Sequence, residues 1–141
     1  MTRVLLLCTG NSCRSQMAEA FLRAFGGGQY EVFSAGLAPG VINPYTYRVM
    51  AELGFDLAGH RSKGLEEYQG KVEFDYVITV CDHAAEVCPI FPGPAQRIHW
   101  SIPDPAAVEG DHQEKLATFV QVRDAIKFHF ENWLVELENP E

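Results

Sequence analysis

The residues best equipped for chemistry are four cysteines, Cys8, Cys13, Cys81 and Cys88, and an arginine, Arg14, just after the first pair. Between Cys8 and Arg14 run Thr9-Gly10-Asn11-Ser12-Cys13, all small or short, and Ser15 follows. Gly10 and Asn11 are the residue types that most readily take positive φ. The segment can therefore curl with its N–H groups inward, making an anion nest. A helix beginning at Arg14 adds roughly half a positive charge at the same spot. Arg14 itself offers a planar fork of donors to a tetrahedral oxyanion. The same field favours a thiolate, so Cys8 is expected to have a depressed pKa and to act as a nucleophile at neutral pH. The bland alternative, a turn around a buried Cys, is poorly served by so polar a loop. A Cys8 sealed from solvent would remove the basis of the catalytic reading.

The elements that must position this loop follow from pattern. Arg3–Cys8 is a buried strand that delivers Cys8 at its carboxyl end. Arg14–Phe25 is a helix with Met17, Phe21, Ala24 and Phe25 on one face, stopped by Gly26-Gly27-Gly28. Tyr30–Ser34 is a second strand, ended by Ala35-Gly36. Asn43 caps and Pro44 opens a helix through Leu53, closed by Gly54. Gly59–Gly70 is polar and irregular, with room for one helical turn. Asp75–Val80 is a β-branched third strand, Asp82–Val87 a short helix ended by Pro89, and Gln96–Trp100 a fourth strand. Glu114–Leu137 is a long amphipathic helix. Its apolar stripe is Leu116, Phe119, Val120, Ile126, Phe130, Trp133, Leu134 and Leu137, with a gap at Arg123. The alternation predicts an α/β fold: one domain over residues 1–141, with a four-stranded parallel sheet covered by helices on both faces. Glu138–Glu141 is expected to fray. Ligands in such sheets bind beyond the carboxyl ends of the strands.

Composition agrees with one domain of 141 residues, 47% hydrophobic and 21% charged. No apolar run approaches the roughly 20 residues of a membrane span, and no signal peptide is evident. A net charge of −8 disfavours nucleic acid and anionic membrane as partners. The expected compartment is the reducing cytoplasm, where structural disulfides are rare and retained thiols are filler or reactive groups.

The C-x5-R-S motif at the end of the first strand resembles the low-molecular-weight protein tyrosine phosphatase superfamily. The stretch CTGNSCRSQMAEA is more similar to its thioredoxin-coupled arsenate reductase branch. The similarity continues through Ser34-Ala35-Gly36, Asn43-Pro44, Cys81 with Cys88-Pro89, His99-Trp100 and Asp104-Pro105. It implies the same four-stranded parallel sheet. It also implies that Thr9, Gly10, Asn11, Ser12, Cys13, Arg14 and Ser15 bind the substrate, with Cys8 at an exposed rim and Cys13 a buried interior position. Asp104 takes the part of general acid by the same resemblance; Asp82 and Asp111 are weaker candidates. Ser15 is either a partner whose hydroxyl hydrogen-bonds the Cys8 thiolate or an ordinary first-turn serine. Asn11, Glu19 and Ser34 match positions that in some family members help form a cation site under the loop. The acidic position of those members is Lys63 here, whose ammonium could stand in for the cation. No metal is expected, since His60, His83, His99, His112 and His129 lack ligand spacing. Trp100 and Trp133 are expected in the core.

A reductase needs the later thiols, and a phosphatase does not. If Asp82–Val87 is helical, Cys81 and Cys88 stand roughly 10.5 Å apart along it, whereas a disulfide needs Cα atoms within about 7 Å. The segment must unwind for them to join. The resemblance then implies an arsenate reductase without a bound cofactor. Cys8 attacks arsenate, a Cys8–Cys81 disulfide forms as arsenite leaves, and Cys88 converts it to Cys81–Cys88. Thioredoxin, or a glutaredoxin–glutathione pair, reduces that bond. Phosphate or sulfate would compete. Two alternatives stay open. One is a tyrosine phosphatase, against which Ala106-Ala107 stand where such enzymes carry tyrosines. The other is a non-enzymatic thiol redox sensor.

Overall fold

The computed structural model describes residues 1–87 and 95–138. Strand β1, Thr2–Cys8, is the axis of the molecule. Val4 to Leu7 are fully buried, and four consecutive apolar residues can be buried only where both faces of a sheet are covered. β2 (Tyr30–Gly36), β3 (Tyr76–Thr79) and β4 (Gln96–His99) complete a parallel sheet in the order β2-β1-β3-β4. Leu6 pairs with Ser34 on one side and Ile78 on the other. The alternating pattern thus gives the expected four-stranded sheet. β4, at the edge, is mostly exposed.

Helix α1 (Arg14–Gly26) packs on β1 and β2, and the long helix α4 (His112–Glu138) packs on α1 and α2 (Pro44–Ala51). α2 begins as predicted: the Asn43 side chain accepts the Tyr45 N–H, and Pro44 holds the first position. It stops at Ala51, two residues short of the expected end, and Gly54 turns the chain at φ 87°. Between Gly59 and Gly70 there is one tight turn, Leu65–Glu67. α3 spans Asp82–Val87, as read from the sequence. Cys88 lies outside the described residues, as do Pro89 and the tail beyond Glu138.

Two packing expectations need correction. The apolar face assigned to α1 ended in Ala24 and Phe25, but both are exposed. Instead the first two turns, Ser15 to Leu22, are buried all round. Sheet, α4 and the loop from Cys8 enclose the start of this helix, and its last turn emerges. On α4 the gap at Arg123 is not a gap. Arg123 is buried beside Val122 and Ile126, and its Nη1 donates to Val49 O and Glu52 Oε1, each at 2.9 Å. The buried guanidinium ties α4 to the end of α2. Trp133 is in the core, and Trp100 stacks on His129 at its edge. No described helix is long and apolar enough to cross a membrane.

Candidate active site

The loop from Cys8 to Arg14 leaves the carboxyl end of β1 and enters α1, as the sequence predicts. Its shape is set by where its carbonyls go. Cys8 O accepts from Leu37 N, Thr9 O from Ala38 N, and Ser12 O from Asn43 N and Thr46 Oγ1. Gly10 O accepts from Ser62 Oγ and Asn11 O from Gln16 Nε2. In a trans peptide the C=O and the following N–H point opposite ways. Tying these carbonyls to the surrounding scaffold therefore turns the N–H groups of Thr9 to Cys13 toward the concave side. Asn11 supplies the bend at φ 49°, the only positive φ at a non-glycine among the described residues. Gly10, the other position expected to take it, does not.

Cys8 Sγ lies at the floor of this bowl. It accepts the Asn11 N–H at 3.3 Å and sits 2.9 Å from Ser15 Oγ. Of the two readings of Ser15, the partner of the sulfur is therefore the one found. The exposed rim predicted for Cys8 is not found: the residue is 2% exposed, no more than Cys13. The carbonyl anchors draw the loop over the strand end and leave the sulfur facing only inward. What it faces is a cavity of about 200 Å³, lined also by Thr9, Gly10, Ser12, Cys13, Arg14, Asp104 and Ala106. That space admits a small tetrahedral oxyanion, so the sulfur is covered without being sealed. A larger depression, about 730 Å³ around Met1, Thr2 and Asp75, lies at the opposite, amino-terminal ends of the strands and gathers neither thiol nor guanidinium.

Arg14 Nη1 donates to Ile102 O at 2.9 Å, which ties the guanidinium to the segment carrying Asp104. Asp104 caps the turn Pro105–Ala107 by accepting the Ala106 N–H. Its exposed carboxylate borders the cavity. Neither of the weaker acid candidates lines the cavity. Asp111 caps α4 by accepting the Glu114 N–H. Asp82 accepts from His99 Nε2, and hydrogen bonds from Ser101 and then His99 hold its carboxyl below the usual range.

Cys81 follows β3, the neighbour of β1, and so arrives beside the same loop. Thr9 Oγ1 lies 3.4 Å from its sulfur, which also accepts the Ala84 N–H in the first turn of α3. Cys8, Cys13 and Cys81 are all free thiols. Cys13 is buried, and burial pushes its thiol up, with lesser upward contributions from Asp104 and Cys8.

Beneath the loop sits a polar cluster assembled from distant positions. Ser34 Oγ donates to Glu19 and accepts from Asn11 Nδ2 and Lys63 Nζ. Gln16 Nε2 donates to Asn11 Oδ1 and Arg61 O, and its Oε1 takes His60 Nδ1. Burial, ahead of the opposing charge of Glu19, moves His60 and Lys63 downward from their ordinary values. The sequence pointed to Asn11, Glu19, Ser34 and Lys63 but not to Gln16, His60 or Arg61. No spacing along the chain signals those three. Among the described residues no group of His, Cys, Asp and Glu is arranged to hold a metal ion.

A family model described as low molecular weight phosphotyrosine protein phosphatase matches residues 3–141. An arsenate reductase of Halalkalibacterium halodurans is 42% identical over 123 residues, which cover 87% of this chain and 88% of that protein. A solved arsenate reductase in the oxidized state superposes with a TM-score of 0.81 at 29% identity, covering 96% of this chain and 98% of that one. A thioredoxin-dependent arsenate reductase of Corynebacterium glutamicum superposes with a TM-score of 0.67 at 26% identity, over 96% of this chain and 63% of that one. The chain is an enzyme of the low molecular weight phosphotyrosine protein phosphatase family, on the branch whose curated relatives are arsenate reductases.

Proposed function

We propose that the protein reduces arsenate to arsenite through a thiol relay in the cytoplasm. The observation that carries this reading is Cys81. A second free thiol stands beside the oxyanion loop, 3.4 Å from Thr9 Oγ1, where hydrolysis of a phosphate ester has no use for it. Arsenate docks in the bowl of Thr9 to Ser15 against Arg14. The Cys8 thiolate attacks arsenic and forms an S–As bond, while Asp104 protonates the oxygen that leaves as water. The Cys81 thiolate then attacks the Cys8 sulfur. The S–As bond breaks, its electron pair stays on arsenic, and arsenite departs. The two electrons come from two thiolates, which end as a Cys8–Cys81 disulfide. Cys88 attacks Cys81 in turn, which frees Cys8 and leaves Cys81–Cys88. α3 must unwind for that bond, since a helix of this length holds its ends too far apart. An external dithiol, thioredoxin by analogy with the Corynebacterium relative, reduces it by exchange.

Phosphate fits the same bowl and competes. Ala106 rather than an aromatic side chain lines the cavity, so an aryl ester finds no flat wall there, which weighs against a tyrosine phosphatase. The test is arsenate-dependent NADPH oxidation with thioredoxin and its reductase, beside p-nitrophenyl phosphate hydrolysis. Cys8→Ser abolishes both. Cys88→Ser releases about one arsenite per enzyme and stalls as Cys8–Cys81, seen as a loss of two hydrogens by mass spectrometry. Sustained turnover by Cys88→Ser would overturn the relay. A disulfide formed by peroxide, with no multiple turnover of arsenate, would favour a sensor instead.

A further inference from the structure

Lys63 is a charged residue nine-tenths buried and remote in sequence from the thiol, yet its ammonium sits directly under the oxyanion loop. Four oxygens surround it: Ser34 Oγ at 2.9 Å, Arg61 O at 3.2 Å, Asn11 Oδ1 at 3.4 Å and Glu19 Oε1 at 3.5 Å. The Lys63 backbone N–H also donates to Asn11 Oδ1, at 2.9 Å, and Lys63 O accepts from Gly36 N. Both ends of the residue thus grip the loop and the strand beside it.

The consequence runs through the Asn11 amide. Donors from Lys63 and Gln16 converge on its oxygen end. That fixes the other end, Nδ2, toward Ser34 Oγ and Ser15 Oγ, the latter at 2.7 Å. The Ser34 hydroxyl gives its only proton to Glu19, so it can serve Asn11 and Lys63 only as an acceptor. Ser15 Oγ accepts from Asn11, which leaves its own proton free for the Cys8 sulfur 2.9 Å away. Each group has one role open to it, and the order of roles begins at a cation. Without the positive charge, Glu19 is a buried carboxylate short of one counter-charge. The Asn11 amide also loses one of the donors that hold its oxygen inward.

We propose that Lys63 is a positioning residue for Cys8. Its ammonium is a cation tethered by the chain in an oxygen cage that orients Asn11, hence the Ser15 hydroxyl, hence the reacting sulfur. The inference rests on Cys8 as the reacting thiolate, so its test reads Cys8 alone, without arsenate or reductant.

The measurement is the rate of iodoacetamide alkylation at Cys8, located by peptide mass spectrometry, at pH 7 and constant ionic strength. Wild type reacts at the same rate, within twofold, whether the added salt is potassium chloride or choline chloride. Lys63→Met keeps the stem, removes the charge and fills the space. It slows alkylation about tenfold in either salt, as misplacing a reacting group by a fraction of an ångström does. Lys63→Ala slows it similarly in choline but leaves the oxygen cage empty, and potassium or methylammonium chloride restores most of the rate. Thermal unfolding of each variant confirms that folded protein is being read. Should Lys63→Ala not fold, wild type and Lys63→Met decide between them. A wild-type rate that rises more than about threefold with potassium, or a Lys63→Met rate equal to wild type, overturns the inference. A wild-type Cys8 no faster than a free thiol would overturn the proposed function instead.

Discussion

Two thiols five residues apart share one loop and differ in almost everything that decides reactivity. Cys8 Sγ receives an N–H and a hydroxyl and faces the cavity. Cys13 has only weak hydroxyl partners, and burial pushes its thiol up. The folded protein therefore keeps Cys13 protonated at pH values where the unfolded chain would ionise it. Stability linked to Cys13 is complete below the ordinary thiol range and is lost as pH rises through and beyond it. Under native conditions at pH 8, iodoacetamide is expected to label Cys8 at least tenfold faster than Cys13. Cys13 becomes reactive only with unfolding, which time-resolved peptide mapping with and without guanidinium will show. That Cys8 and Arg14 border one loop between a strand and a helix was legible because residue type and local spacing carry it. The covering of Cys8 was not. It depends on Leu37, Ala38, Asn43 and Ser62 anchoring the loop from other segments, and no period or motif announces a hydrogen bond to a distant backbone.

Gly36 shows how one element shapes the next. It ends β2 beside Cys8, its register partner. A Cβ there would fall 2.7 Å from Thr9 O and 2.8 Å from Asn11 N, both backbone atoms of the bowl. Neither can yield without opening the loop. Gly36→Ala is expected to cost about 1–3 kcal/mol by overpacking and to weaken phosphate binding, as measured by thermal unfolding and calorimetric titration. Unchanged phosphate affinity would show that the loop does not depend on this close approach. The strands, the Asn43 cap and the Asp82–Val87 helix were legible because apolar period and capping residues are local signals. The misjudged face of α1 marks the limit of that logic. Ser15, Gln16 and Glu19 are polar and buried. Periodicity assigns such residues to solvent, whereas here they serve the cluster under the loop.

On the scale of the whole molecule, α4 does for α2 what the loop anchors do for the site. Arg123 lies inside an apolar stripe and spends its guanidinium on Val49 O, Glu52 and Asp124. A buried cation so paired costs stability when removed, because partners lose their donors. Arg123→Ala is expected to lower stability by about 2–4 kcal/mol in urea unfolding and to leave the Cys8 alkylation rate of folded protein within twofold of wild type. A large change in that rate would mean that the α2–α4 joint is felt at the sulfur. The fold class was legible because strands and helices alternate along the chain. The role of Arg123 was not, since a charged residue in a stripe reads as an interruption until its partners are known.

The strand order carries a last consequence. β1 and β3 are hydrogen-bonded neighbours at the centre of the sheet, so two chain segments more than seventy residues apart in sequence end side by side at one edge. Under the proposed relay, redox chemistry therefore asks nothing new of the sheet: the rung beside the anion loop already delivers Cys81, and the rearrangement falls on α3 alone.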